Sequence, residues 1–112
     1  MTRDRREPPP AYVRARLRVV AVEAGGPKTG VATGSRPNWG IGQRLSGDGL
    51  LGRAPVIVED ADRIAPGATG VVRVHPAEWD AWAAVRPGDT IPMLEGPRIV
   101  GVAEVIEIVE RG

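Results

Sequence analysis

The sequence predicts an all-β fold, a closed antiparallel β-barrel of six strands with one short helical insertion. Glycine (15 residues) and proline (11 residues) are abundant in this chain of 112 residues, and they stand between short runs rich in valine and isoleucine. This arrangement is typical of many short strands joined by turns. The length provides for one domain, which we place at residues 12–112, after a tail at residues 1–11.

The tail is predicted to be disordered, basic and rich in proline. Its arginines are followed by Pro8-Pro9-Pro10, and such prolines hold the backbone extended while supplying no amide donors. We expect no signal peptide here, because prolines follow the basic residues where a signal peptide has an apolar stretch.

The first strand is predicted to begin near Tyr12 and to run through residues 14–23. Apolar residues occupy one face and arginines the other, a period of two that is typical of a half-buried strand. The apolar face comprises Ala15, Leu17, Val19 and Ala21, and the opposite face comprises Arg14, Arg16 and Arg18. The arginines either keep an exposed strand face solvated or meet phosphates.

The elements after the first strand have weaker sequence patterns. Residues 28–42 are poorly periodic and rich in glycine, so no regular element is predicted there. Four further strands are predicted at residues 55–59, 70–75, 89–94 and 98–109, with turns at residues 24–27, 46–49, 64–67 and 95–97. In the last strand, glutamates recur every three residues, as in a helix, but four β-branched residues (Val105, Ile106, Ile108 and Val109) favour a strand.

The helical insertion is predicted over residues 76–85. Pro76 suits the first helical position, Glu78 and Asp80 suit the positive end of the helix dipole, and Trp79 and Trp82 are three residues apart. Arg86-Pro87-Gly88 would end the helix.

Catalytic and cofactor chemistry finds no support in the sequence. His75 is the only histidine, no cysteine is present, and no serine stands in a nucleophile elbow. The glycine-rich segments lack the lysine and hydroxyl of a phosphate-binding loop. The cluster Glu59, Asp60 and Asp62 either holds a hard cation or, as we favour, forms a solvated loop. We therefore expect a protein without enzyme activity, cofactor, metal or nucleotide.

Charge and hydropathy restrict partners and location less strongly. The net charge is +1, which neither favours nor excludes a polyanionic partner, because a local patch can still be basic. No apolar run approaches the roughly 20 residues that a membrane span needs. Together with the absence of cysteine, this predicts a cytoplasmic protein that does not contact a membrane.

Four segments resemble the third, C-terminal domain of elongation factor Tu. Residues 23–29 (EAGGPKT) and 34–39 (GSRPNW) are similar to the family's E-x-G-G-R-H-T and G-Y-R-P-Q-F, with the same spacing. Pro66-Gly67 and His75-Pro76 resemble its P-G turn and its H-P pair, and residues 95–101 (EGPRIVG) resemble E-G-G-R-T-V-G. The resemblance extends from about Val13 to Val109 and implies the six-stranded barrel of that domain. The nucleotide domain of the factor has no counterpart, so the chain is not expected to be a GTPase.

The resemblance also implies candidate RNA contacts. The positions that correspond to the family's contacts with the T-stem of tRNA are Lys28, Arg98 and Gly101, and Arg36 is a further basic candidate. Lysine and arginine would neutralise backbone phosphates, and glycine would allow the sugar-phosphate chain to come close. Pro27 and Ile99 replace two neighbouring family contacts, which weakens this expectation. The alternative interpretation of the candidates is a turn lysine, a strand-end arginine and a packing glycine.

Three tryptophans provide candidates for a protein contact. Trp39, Trp79 and Trp82 stand in a chain with a single tyrosine and no phenylalanine. An exposed tryptophan is a common anchor in protein interfaces, but Trp79 and Trp82 could equally pack on the barrel.

Three hypotheses for the function follow. We favour a protein-binding barrel derived from the third domain of elongation factor Tu, a mimic or decoy of that factor with an unknown protein partner. The first alternative is a translation accessory module that binds tRNA or ribosomal RNA through Lys28, Arg36 and Arg98. The second alternative is a structural subunit that associates with copies of itself.

Overall fold

The protein is an all-β chain whose strands pair antiparallel. The computed structural model describes residues 11–42 and 50–110, without the side chains of Gly42, Leu50 and Leu51. The predicted tail, apart from Ala11, and the predicted turn at residues 46–49 lie outside the described residues. The strands are β1 (Tyr12–Val19), β2 (Val31–Ala32), β3 (Asn38–Gly42), β4 (Leu50–Arg53), β5 (Val56–Val58), β6 (Arg63–Ile64), β7 (Thr69–Val74), β8 (Thr90–Glu95) and β9 (Arg98–Val109).

Seven of these strands form one curled, half-barrel sheet. Its order is β4-β3-β8-β9-β1-β7-β5, and β2 pairs with β6 in a separate two-stranded ribbon. β1 lies between β9 and β7 and pairs with both. The all-β prediction is confirmed, whereas closure into a six-stranded barrel is not established by this strand order.

The core lies on the concave side of the curled sheet and follows the alternation that the sequence predicts. On β1, Val13, Ala15, Leu17 and Val19 are buried while Arg16 and Arg18 are exposed. On β7, Val72 and Val74 are buried and Arg73 is exposed. Each side chain taken from water in this way stabilises the fold by roughly 1.5–3 kcal/mol for a valine or leucine.

Two short strands, β3 and β4, lie where no element was predicted. Trp39 and Ile41 are buried on β3, but they alternate with Gly40 and Gly42. Gly52 likewise takes an inward position on β4, where an added Cβ would lie 2.7 Å from Nε1 of Trp82. Because glycine has no side chain, the alternation of inward and outward residues in β3 and β4 is not visible in the sequence, although their backbones pair.

The predicted helix over residues 76–85 is wrong. The segment contains a 3-10 helix of four residues, Trp79–Trp82, and a second 3-10 helix follows β1 at Val22–Ala24. The amides of residues 81, 83 and 85 all donate to carbonyls three residues earlier. Trp82 and Val85 are both buried, and these hydrogen bonds to the third residue back define the 3-10 geometry.

Candidate binding surfaces

Two of the three candidate tryptophans belong to the core. Trp39 is 1% exposed and Trp82 4% exposed, and their rings meet edge to face with centroids 6.4 Å apart. The indole N–H of Trp39 donates to the carbonyl oxygen of Ala54 at 3.1 Å. Trp79 is half-buried and packs against the core. Trp39 and Trp82 therefore do not offer exposed anchors on this surface, and packing is the role that the structure gives them.

The structure brings Arg98 to the turn that carries Lys28. Nη1 of Arg98 donates to the carbonyl oxygen of Gly25 at 3.3 Å, and Lys28 follows three residues later. Both side chains are exposed, and neither has an ion-pair partner among the described residues. These two RNA candidates thus lie at one end of the sheet.

Gly101 faces the core and not the outer surface. A Cβ at this position would lie 3.0 Å from Cε of Met93, 3.1 Å from Cδ1 of Leu17 and 3.2 Å from the carbonyl oxygen of Arg18. These contacts favour the alternative interpretation of Gly101 as a packing glycine, which lets β9 pack against β1 and β8.

Arg36 lies in a different place from Lys28 and Arg98. It lines a groove of about 360 Å³ together with Arg53, Pro55, Glu78 and Trp82. Nε of Arg53 donates to the carbonyl oxygen of Arg36 at 3.2 Å. The groove joins one RNA candidate, Arg36, to one protein-binding candidate, Trp82, a combination that the sequence does not reveal.

The arginine face of β1 is largely neutralised by carboxylates. Arg14 makes a bidentate contact with Glu59, at 2.8 Å and 3.1 Å, and Arg73 binds the same carboxylate at 3.1 Å. Arg16 binds Glu104 at 3.1 Å. Arg18 is exposed and has no acidic partner among the described residues. Two of the three β1 arginines are thus already paired.

Glu59 titrates far from its ordinary range because of these contacts. The hydrogen bond from Arg14, assisted by one from Arg73, lowers the pKa of Glu59 to about 2. The carboxylate faces two guanidinium groups, and no group of three potential metal ligands occurs in residues 11–42 and 50–110. The loop hypothesis for the acidic cluster is thereby favoured over a cation site, with Glu59 as an ion-pair partner.

His75 lies at the end of β7 beside Tyr12, with ring centroids 5.5 Å apart. Its Nε2 is buried and has no hydrogen-bond partner among the residues that the structure describes. Burial, with the nearby charge of Arg73, lowers the pKa of His75. The imidazole ring packs on Tyr12, and His75 is the only histidine of the sequence.

An apolar strip on the outer face of β8 and β9 is a surface that the sequence reasoning missed. Leu94 pairs with Ile99, and Pro92 pairs with Val102. Ile99 is 50% exposed and Val102 37% exposed. On the neighbouring strand β3, Gly40 lies under the ring of Pro92, since a Cβ there would be 2.8 Å from its Cγ. We call the set Pro92, Leu94, Ile99 and Val102 the outer strip.

A β-bulge explains why the outer strip is invisible in the sequence. The register of β8 and β9 shifts between Met93 and Leu94, which leaves Val100 without a partner on β8. Val100 and Gly101 are consequently both buried. Strict alternation would place Ile99 and Gly101 on one face and Val102 on the other, so the shared outward direction of Ile99 and Val102 requires the bulge.

No protein-family model matches the chain, and no curated protein matches it. Among the described residues, no helix has the length and apolar character to cross a membrane.

Replacing Gly101 with valine tests its packing role. Because the new side chain would meet Met93, Leu17 and the β1 backbone, we expect the free energy of unfolding to fall by about 1–3 kcal/mol. Urea denaturation followed by circular dichroism measures this change. The control Ile99→Val, at a half-exposed position of the same strand, should change it by less than about 0.5 kcal/mol; equal effects of the two changes would contradict the packing role.

The ion pairs of Glu59 predict a loss of stability in acid. Since the pKa of Glu59 is lowered from 4.5 to about 2 in the folded chain, its contribution is fully present above the unfolded value and is lost as the pH falls between these two values. The difference in urea midpoint between the natural chain and Glu59→Gln should therefore be largest near neutral pH and shrink through this window. The same titration in an Arg14→Gln background should show a weaker dependence; an unchanged one would exclude Arg14 as the cause.

Proposed function

We propose that the chain is a non-catalytic protein-binding module whose outer strip contacts the partner. The observation that carries the proposal is the outer strip itself: four apolar side chains on two paired strands, with Ile99 half exposed. Apolar side chains grouped on a surface and rimmed by polar residues mark protein interaction sites. The rim here includes Arg18, the cross-strand partner of Val102.

The charges of the described surface favour a protein over RNA as the main partner. An RNA site needs several free cations on one face, whereas Arg14 and Arg16 already bind carboxylates. Gly101 is turned inward, and Arg36 lies in a separate groove. The tryptophans that first suggested a protein partner are largely buried, so the outer strip replaces them as support.

The border of the outer strip favours a different protein over a second copy. Two copies joined through this strip would each bring Arg18, the cross-strand partner of Val102, to the border. In a two-fold contact, each Arg18 would need a carboxylate of the other copy, and few orientations of the two copies provide one. A partner that carries carboxylates beside an apolar segment matches Arg18 directly.

We also propose that the curled sheet closes into a six-stranded barrel. β4 and β5 are separated by only Ala54 and Pro55 and can be counted as one bent strand. Two hydrogen bonds support its continued pairing with the segment before β3: the amide of Val56 donates to Ser35 and the amide of Gly34 donates to Val56. The ring would then consist of β1, β3, β4 with β5, β7, β8 and β9.

Such a barrel supports the proposed descent from the third domain of elongation factor Tu. The segments that carry the resemblance lie at junctions of the sheet: residues 23–29 follow β1, residues 34–39 lead into β3, and residues 95–101 form the β8–β9 hairpin. On this proposal, the chain is a cytoplasmic mimic or decoy that occupies a protein partner of that factor.

Site-specific photocrosslinking in host cells tests the protein-binding proposal. A benzophenone amino acid at position 99 should yield one discrete crosslinked protein that resists ribonuclease and is lost when Val102→Asp is added. The matched control carries the same group at Ile57, an exposed isoleucine on β5, and should not give that product. Crosslinks that ribonuclease removes, or that join two copies of this chain, would contradict the proposal.

A weak RNA site at Lys28 and Arg98 is the second candidate, because Arg98 contacts the turn that carries Lys28. If it operates, Lys28→Glu with Arg98→Glu should abolish tRNA retention on a filter without changing the melting temperature. Retention by the natural chain should fall with log salt with a slope of about −2, since two phosphates are neutralised. The pair Arg18→Glu and Arg63→Glu is the charge-matched control. Equal loss in both pairs would show general charge attraction and contradict a site at Lys28 and Arg98.

A further inference from the structure

A gap, which we call the seam, lies beside the edge of β4 that faces away from β3. β4 pairs with β3 and, in the part of the chain that the structure describes, with no other strand. On the opposite side, β5 pairs with β7. That pairing ends where the amide of His75 donates to the carbonyl oxygen of Pro55. Beyond His75 the chain turns away from β5 toward the 3-10 helix Trp79–Trp82.

The backbone of β4 directs groups to this seam that make no strand pair within residues 11–42 and 50–110. The amides of Ala54 and Val56 donate to Pro37 and Ser35, on the β3 side. In an extended strand, successive residues direct their amide and carbonyl groups to opposite edges. The amide and carbonyl of Arg53, and those of the residue two positions earlier, therefore point toward the seam.

The seam opens into the groove that contains Arg36 and Trp82. Continuing the β5–β7 register past the Pro55–His75 hydrogen bond would set Arg53 opposite Ala77. Both residues instead line the two sides of a groove of about 360 Å³. The groove is lined by Arg36, Gly52, Arg53, Pro55, Ala77, Glu78, Ala81 and Trp82. Where β7 leaves the sheet, a space for an added strand remains.

The two faces of the groove differ in chemistry. Gly52 is on the buried face of β4 and meets Trp82, so the inner wall is apolar and made of small residues and one indole ring. Arg36 and Arg53 are exposed on the outer face. Arg36 has no side-chain partner among the described residues, and Arg53 binds a backbone carbonyl and no carboxylate. Glu78 is the carboxylate among the lining residues, so cations outnumber anions.

We propose that the seam beside β4 binds an extended peptide segment of a protein partner as an added strand. The backbone of the peptide pairs with β4 at Arg53, its inward side chains are small and apolar against Trp82, and its outward side chains are acidic beside Arg36 and Arg53. Strand addition takes its affinity from main-chain hydrogen bonds and its specificity from alternate side chains. The seam is separate from the outer strip, so it is a second contact surface of the protein-binding module.

Titration of the full chain with a defined peptide tests this proposal. The probe is an acetylated, amidated octapeptide of alternating valine and glutamate, followed by amide NMR shifts. The largest shifts should occur at Gly52, Arg53 and Ala77. Arg53→Glu should weaken binding about tenfold or more, and so should N-methylation of the probe at alternate residues, which removes the pairing amides but keeps the charges. The matched control Arg63→Glu, an exposed strand arginine on β6, should change the affinity less than twofold.

Several results would overturn the proposal. Equal binding of the N-methylated probe would show charge attraction without strand pairing. Largest shifts at Ile99 and Val102 would place the peptide on the outer strip. A dimer of the free chain that Arg53→Glu dissociates would show that a second copy occupies the seam. The position-99 crosslink should survive Arg53→Glu, and peptide binding should survive Val102→Asp, so failure of either surface is distinguishable from failure of the other.

Discussion

The fold depends on the pairing of β1 with a neighbour on each side. β1 is hydrogen-bonded to β7 on one edge and to β9 on the other, along nearly its whole length. With both edges paired, its backbone polar groups are satisfied and its inner face can be fully apolar. Leu17 and Val19 are completely buried as a result. A slip of one residue would turn these side chains outward and bring Arg16 and Arg18 into the core, so the register is strongly specified.

Two bulges in β9 decide which side chains reach the outer surface. One shifts the register between Arg14 and Ala15 of β1, leaving Ile106 without a partner there, and so sets Glu107 opposite Arg14 while Glu104 stays opposite Arg16. Glu104 and Glu107, whose three-residue spacing is also typical of a helix, thus lie on one face of a strand. The other bulge, at Val100, creates the outer strip. The paired carboxylates and the exposed apolar residues therefore share one structural cause, an extra residue in a long strand.

The chain leaves the sheet at Pro76. Among the described residues, β4 therefore has no neighbouring strand on the side away from β3. β7 stops bonding at His75, and the following 3-10 helix buries Trp82 against Gly52. The tryptophan forms the inner wall of the space, which remains open between Arg53 and Ala77. Exposed strand edges invite pairing with another chain. The shortness of β4 and its arginine restrict which segments can pair there.

The sequence by itself determined the strand class, the inward faces of β1 and β7, and the turns around Gly67 and Gly96, because period-two patterns and turn residues are local properties. It also named Arg98, Arg36 and Trp82 as residues of interest. Only the tertiary structure decided what they do. Glycines concealed β3 and β4, the pattern of residues 76–85 did not distinguish a 3-10 helix from an α-helix, and bulges broke the alternation of faces in β9. Arg36 and Trp82 are 46 positions apart, and pairing across the sheet brings them to one groove. Whether a side chain is buried or exposed depends on such non-local pairing, which no window of the sequence contains.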